Sequence, residues 1–307
     1  MQHVDGPRIC LAPPGSRGWL ADAIVAGGGV LSDPSAADGL VWASTGGADD
    51  LAAVLADHPA IRWVQLPWAG IEPFVGVLDD DHTWTCGKGV YAEPVAEHAL
   101  MLGLAGLRGL DHYARATTWE GQRGVNLLGA RVTVVGGGGI ARSLLRLLAP
   151  FGADVTVVRR HPEPLEGAGR VVAPGALHDV LRGATLVVLA LPLVAETIGL
   201  IGRTELGLME PHAWLVNVAR GAHVVTDDLV AALTAGSIGG AALDVTDPEP
   251  LPDGHPLWRL PNCIITPHVG NTAEMARPLL SARITANVRR FATGDPLIGL
   301  VDPALGY

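Results

Sequence analysis

Short apolar runs alternate with stretches in which apolar residues return about every 3.6 positions, and the alternation continues along most of the chain. Runs at 8–11, 40–43, 61–66 and 83–86 have the length of strands, and the periodic stretches at 19–26 and 50–56 have the length of helices. Strands that are apolar on both faces, separated by helical patterns, predict a parallel sheet covered by helices on both sides. From 93 to about 116, Val95, Ala99, Leu102, Leu104 and Leu107 mark one long helix, too long for a simple crossover and expected to bridge two domains. A second series follows, with strands expected at 131–135, 154–158, 185–191, 213–218, 240–245 and 263–266 and a helix at 142–148. The last periodic stretch, 272–291, carries Met275, Leu279, Leu280, Ile284 and Val288. It is expected to return to the first series, which makes that domain discontinuous: 1–95 with 273–307, around an inserted 96–272.

Composition adds bounds to this picture. A chain of 307 residues, 49% hydrophobic and 17% charged, is long for one core and suits two domains. With 21 Lys and Arg against 31 Asp and Glu, the net charge of -10 offers no general attraction to nucleic acid or to an anionic membrane. Any phosphate must therefore be held by local groups. Cys10, Cys86 and Cys263 are few and scattered, which suggests neither a disulfide framework nor a metal cluster. Residues 1–7 lack a basic region followed by an apolar run, and a cytoplasmic location is expected.

The first chemical signal follows the strand at 131–135, which runs directly into Gly136-Gly137-Gly138-Gly139-Ile140-Ala141 and a helical stretch. Strand, glycines and helix in that order form the context of a dinucleotide-binding loop. Gly136 permits the tight turn, Gly138 permits close approach of a pyrophosphate, and Ala141 is small enough for the helix to pack on the strand. Gly139 and Ile140 continue the same loop. The strand at 154–158 then ends in Arg159-Arg160. An acid at that tip would bind the ribose hydroxyls of NAD; arginine there suits the 2'-phosphate of NADP, so NADP(H) is favoured and NAD(H) remains open. The competing reading of Arg159 and Arg160 is a solvated surface loop.

The remaining strands end in residues that suit acid/base chemistry on a carboxylate. Asn217-Val218-Ala219-Arg220-Gly221, Asp244-Val245-Thr246-Asp247-Pro248-Glu249-Pro250 and Thr266-Pro267-His268-Val269-Gly270 place an arginine, carboxylates and a histidine at successive strand ends, and Leu191-Pro192 follows another. In an open parallel sheet such ends surround the ligand crevice. Arginine matches a carboxylate with two parallel donors, and histidine both gives and takes protons near neutrality. A carboxylate beside the imidazole would orient it and favour its protonated form. His98, among apolar neighbours on the long helix, reads as a hydrogen-bonded structural histidine.

These motifs, together with Val95-Ala96-Glu97-His98, Leu191-Pro192-Leu193 with Glu196, and Gly199-Leu200-Ile201-Gly202, resemble the D-isomer-specific 2-hydroxyacid dehydrogenases, including the glyoxylate/hydroxypyruvate reductases, over nearly the whole chain. The resemblance implies an α/β fold of two Rossmann-like or flavodoxin-like domains with parallel sheets and the active site in the interdomain cleft. Residues 1–95 and 273–307 would form the substrate domain, and 96–272 the NAD(P)-binding Rossmann domain. It implies reduction of a 2-keto acid to a D-2-hydroxy acid, or the reverse, with Arg220, Glu249 and His268 catalytic. Cofactor contacts would come from Gly136, Gly138, Gly139, Ile140, Arg159, Arg160, Leu191, Pro192, Val218, Ala219, Arg220, Asp244, His268 and Gly270. Trp68, Ala69 and Gly70 would join Arg220 and His268 in holding the substrate, and a homodimer without metal, nucleic acid or membrane partner is expected. A non-catalytic dinucleotide-binding regulatory protein on the same fold is the alternative. The intact set Arg220, Glu249 and His268 favours the enzyme over it.

Overall fold

The computed structural model describes residues 6–16 and 18–306 of the chain. Two compact units divide it: Met1–Tyr91 with Thr272–Tyr307, and Ala92–Asn271.

The first unit begins with β1 (Arg8–Ala12), α1 (Gly18–Ala26), β2 (Val30–Leu31), β3 (Gly39–Trp42), α2 (Ala48–Asp57), β4 (Trp63–Gln65) and β5 (Thr83–Thr85). The strands form one sheet in the order β2-β1-β3-β4-β5, and every pairing is parallel. Because successive side chains on a strand point to opposite faces, the sheet sorts its residues into two cores. Cys10, Leu40, Trp42 and Val64 pack with Leu51 and Leu55 of α2, while Ile9, Val41 and Trp63 pack with Leu20 and Ile24 of α1. This double coverage explains why the strand sequences are apolar throughout instead of alternating.

The second unit contains α3 (Ala92–Leu107), α4 (Leu110–Tyr113), β6 (Arg131–Val135), α5 (Gly139–Leu148), β7 (Asp154–Val158), β8 (Arg170–Val172), α6 (Leu177–Leu181), β9 (Leu186–Leu189), α7 (Arg203–Leu208), β10 (Trp214–Asn217), α8 (Thr226–Ala235), β11 (Gly240–Leu243) and β12 (Cys263–Ile265). Its parallel sheet has the order β12-β11-β10-β9-β6-β7-β8. Val132, Val134, Leu186 and Val216 face one core with Ala99 and Leu102 of α3 and Leu144 of α5. Val135, Val187, Leu189 and Leu215 face the other, with Leu206, Leu229 and Leu233. The chain moves outward from β6 to β7 and β8, then returns to β9 on the other side of β6. That reversal is a topological switch point, where connecting loops diverge and leave a crevice at the carboxyl ends of β6 and β9.

The long α9 (Ala273–Thr293) packs against α1 in the first unit. Its Leu280, Ile284 and Val288 complete the core of Leu20 and Ile24. Asn287 is fully buried on this face. Its amide donates to Gln65 Oε1 and to the Ile298 carbonyl, both at 2.9 Å, and its Oδ1 accepts from the Ile298 amide at 2.8 Å.

One expectation needs correction, and two short strands escape the sequence pattern. The helix expected to run from 93 to 116 ends at Leu107. Gly109 stands at φ +63°, a left-handed conformation that stops the helix before the short α4. The division into units falls at the start of α3, within a few residues of the expected boundary. Finally, β2 and β8 were not anticipated, because two and three residues are too few to show a period.

Asn287→Leu keeps the branched shape but leaves the Ile298 amide and carbonyl without side-chain partners. It should lower stability by about 2–3 kcal/mol, read as a lower urea midpoint at unchanged m.

Candidate active site

The switch point is lined by backbone that only glycine can supply. Gly136, leaving β6, has φ +116°, and a Cβ there would lie 2.1 Å from the Ala190 carbonyl oxygen beyond β9. The two strand ends thus meet at van der Waals distance. Gly138 caps α5 without a side-chain hydrogen bond, and a Cβ on it would project into open space. Exposed Gly138 and Gly139 and half-buried Ile140 therefore present uncapped helix amides. Such a surface fits the pyrophosphate of a dinucleotide, since the amides and the helix dipole both favour negative charge. Arg159 lies across this loop: a Cβ on Gly137 would come within 2.7 Å of the Arg159 Cδ. Its guanidinium is chemically suited to a further phosphate. Arg160 beside it is exposed, as is Pro192, and Leu191 is half-buried.

At the end of β10, Asn217 folds the next turn. Its buried side chain accepts from the Ala219 amide at 3.0 Å and donates to the Arg220 carbonyl at 2.8 Å, an Asx-type turn. Val218 and Ala219 are buried beneath it. The half-buried Arg220 donates through Nη1 to the Ala219 carbonyl at 2.7 Å. Gly221 lets this turn dock on the next one, since a Cβ there would stand 1.9 Å from the Thr246 carbonyl oxygen. The arginine turn is therefore seated on the backbone that leads to Glu249.

The end of β11 fixes the histidine. His268 has φ +53°, an uncommon conformation for a residue with a side chain, so neighbouring bonds must hold it. Its amide donates to the Asp244 carbonyl at 2.8 Å. The next two amides, of Val269 and Gly270, donate to the Asp244 carboxylate at 2.9 Å each. Thr266 Oγ1 adds a 2.6 Å bond, and His98 Nε2, 13% exposed, lies 3.2 Å from the same oxygen and 3.0 Å from Thr266 Oγ1. Burial alone would raise the Asp244 pKa. The hydrogen bonds from His98, Thr266, Val269 and Gly270 outweigh it and hold the carboxyl at about 2. Gly270 is required here, because a Cβ would meet the Asp244 carboxylate at 2.9 Å.

His268 Nδ1 meets Glu249 Oε1 at 2.6 Å. The two side chains are 53% and 41% exposed, so the imidazole is accessible while its backbone is fixed. With Nδ1 turned to Glu249, Nε2 is the nitrogen left to exchange a proton with a ligand.

The sequence missed how much of the site is support. His98, read from the sequence as a hydrogen-bonded structural histidine, takes its bonds from Asp244 and Thr266. Asn217, directly after a strand and followed by a small residue, carried an Asx-turn signal that could have marked it. In the first unit, Trp68 packs against Tyr91 with ring centroids 5.5 Å apart, and its carbonyl accepts from the Gly87 amide at 2.9 Å. Trp68 also lines a cavity with Trp19, Trp42 and Gln65. Exposed Ala69 and half-buried Gly70 follow.

The sequence matches the family described as D-isomer specific 2-hydroxyacid dehydrogenase, NAD binding domain, over residues 98–270. A Corynebacterium melassecola protein, described as an uncharacterized protein in the proB 3' region, is 40% identical over 80% of this chain and 84% of its own. A glyoxylate/hydroxypyruvate reductase A from Serratia proteamaculans (strain 568) is 33% identical over 70% of this chain and 69% of its own. A D-isomer specific 2-hydroxyacid dehydrogenase from Xanthobacter autotrophicus Py2, solved in complex with NADPH and MES, superimposes with a TM-score of 0.85 at 29% identity, covering 98% of this chain and 100% of that one.

Asp244→Asn should loosen the His268 loop in a pH-dependent way. The folded carboxyl sits at about 2 against an ordinary 3.8, so ionised Asp244 contributes on the order of 2 kcal/mol above about pH 5, and this is lost as pH falls toward 2. Urea unfolding from pH 7 to pH 3 should show the stability gap between wild type and variant narrowing on the acid side.

Proposed function

The chain belongs to the D-isomer specific 2-hydroxyacid dehydrogenase family, and from that premise we propose that it reduces small 2-keto acids of the glyoxylate and hydroxypyruvate type, with NADPH as the preferred donor. The observation that carries this reading is the His268–Glu249 pair, accessible at its side chains and fixed at its backbone by Asp244. When bound, the nicotinamide supplies a hydride to the keto carbon. The residues of the chain provide the grip and the proton. Arg220 pairs with the substrate carboxylate and draws charge toward the carbonyl oxygen. His268 gives the Nε2 proton to that oxygen as it becomes an alkoxide, and the hydroxyl forms without a free oxyanion. Glu249 accepts from Nδ1, which stabilises the imidazolium before transfer and keeps Nε2 turned outward.

Residues for the dinucleotide are Gly136, Gly138, Gly139 and Ile140 at the α5 amides, Leu191 and Pro192, Val218 and Ala219, and Asp244 and Gly270 near the histidine loop. Arg159, laid over Gly137, supports the preference for a 2'-phosphate, with Arg160 beside it. The NADPH held by the Xanthobacter relative agrees with that preference. Trp68, Ala69 and Gly70 are the substrate contacts assigned to the first unit. The second unit exposes Leu110, Tyr113, Leu128 and a fully exposed Trp119, which supports a homodimer formed through this surface. No helix among the described residues is long and apolar enough to cross a membrane, and a cytoplasmic location is part of the proposal.

A panel of keto acids run in parallel with NADPH and NADH tests the reading. Turnover of glyoxylate or hydroxypyruvate, faster with NADPH, is expected; binding of NADPH with no turnover of any keto acid would favour a regulatory protein instead. Arg159→Ala should raise the NADPH KM roughly tenfold and leave that of NADH nearly unchanged, as loss of one charge-assisted contact implies. His268→Ala should reduce kcat by about 100-fold or more with little change in NADPH affinity. Arg220→Ala should raise the keto-acid KM as well as lower kcat. Trp119→Glu should shift the sedimenting species from dimer to monomer.

A further inference from the structure

The ring of His223 is not used by the reaction just described, yet it is fully buried and touches two segments that are. It follows the Arg220 turn on the short helical stretch Gly221–His223. Its Nε2 lies 3.2 Å from the Pro192 carbonyl, and its Nδ1 accepts from the Arg220 amide at 3.2 Å. Nδ1 is also 3.0 Å from the Arg220 carbonyl, but that oxygen already accepts from Asn217 Nδ2 at 2.8 Å and from the His223 amide at 3.2 Å. We assign the proton to Nε2, which then donates to Pro192 while Nδ1 accepts from the Arg220 amide. Pro192 accepts a second bond, from Thr197 Oγ1 at 3.1 Å, so its carbonyl is held from two sides.

Two strand ends are bridged in this way. Pro192 follows β9, on one side of the switch point, while Arg220 follows β10. An imidazole can accept on one edge and donate on the other across a rigid ring, which an aliphatic residue of similar volume cannot do. Loops that carry substrate-gripping groups lose their aim unless a second layer of bonds fixes them, and displacement of a ligand-holding group by about 1 Å can cost 100-fold in rate.

We propose that His223 is a positioning residue for the reaction: it ties the Arg220 turn to the Leu191-Pro192 segment and so sets the substrate-gripping guanidinium in register with the cofactor-facing strand end. The proposal rests on the reading of Arg220 as the carboxylate grip.

Three variants of the full chain test it: His223→Phe, which keeps a planar ring without either bond; His223→Asn, which retains an acceptor near the Nδ1 position; and His223→Gln, which retains a donor near the Nε2 position. Each is assayed with glyoxylate and NADPH well below its thermal midpoint, together with inhibition by oxalate, an unreactive analogue, and direct NADPH binding by fluorescence. His223→Phe should raise the glyoxylate KM and the oxalate Ki roughly tenfold and lower kcat/KM about 10- to 100-fold, while NADPH Kd shifts by less than about threefold. Asn and Gln should each recover part of the loss, because each restores one of the two bonds. A lower thermal midpoint with kcat/KM and oxalate Ki within about twofold of wild type would overturn the proposal and leave His223 a packing residue. If His223→Phe does not fold, wild-type kinetics in both the Asn and Gln variants would overturn it equally. Failure of the functional reading itself looks different: wild-type protein would neither turn over glyoxylate nor bind oxalate, and the proposal would fall with it.

Discussion

The second unit is organised around one buried carboxylate. Asp244 sits at the end of β11, with almost no solvent contact, and collects the amides of Val269 and Gly270, the Thr266 hydroxyl and the His98 ring. A buried charge would be costly if it were left alone. Here four donors replace water, and the result is a loop that can hold His268 at a positive φ. The strain at His268 and the charge at Asp244 are therefore one device: the second makes the first tolerable. His98 belongs to it as well, bringing α3 into contact with the two strands whose ends carry the chemistry.

Glycine makes the other constraint. At Gly136, Gly221 and Gly270 a Cβ would collide with the Ala190 carbonyl, the Thr246 carbonyl and the Asp244 carboxylate. Each of these contacts draws one strand end against another. The site is thus assembled by close backbone approach, and its side chains inherit their positions from it. Charge works on the same local scale. The chain carries a net -10, so an anionic keto acid and an anionic dinucleotide are opposed by the long-range field, and salt screens that field within about 10 Å. Uncapped amides at α5, Arg159 beside them and Arg220 at the next strand end supply positive potential at the point of use.

Much of this was legible in the sequence, because the relevant signals are periodic or local. Apolar runs located the principal strands. The strand, glycine loop and helix from 131 to 148 identified the dinucleotide fold, and the order of the segments around Arg220, Glu249 and His268 identified the family. What escaped was governed by tertiary contact. Nothing in the local pattern around His98 or His223 shows which partners 150 residues or tens of residues away will meet them. The end of α3 was missed for a related reason: apolar spacing continued past Leu107, but the conformation of Gly109 decided the break. β2 and β8 are too short to carry a pattern and exist only because longer neighbours offer edges to pair with.

The contrast in burial between His268 and its supports fits the proton-donor role proposed for it. A general acid has to meet a ligand and regain its proton afterwards, which requires an accessible ring; His268 and Glu249 are each roughly half exposed. Exposure alone would leave a mobile side chain, and a mobile donor spends little time aligned with the carbonyl oxygen. Rigidity must then come from below. Asp244, Thr266 and His98 provide it for the histidine loop, just as Asn217 and His223 provide it for the arginine turn. In both cases buried polar groups fix the backbone from which the functional side chain projects: Asp244 holds the Val269 and Gly270 amides, and Asn217 and His223 hold the Arg220 turn. A site built this way can change its substrate by altering the exposed residues without disturbing the layer that aims them.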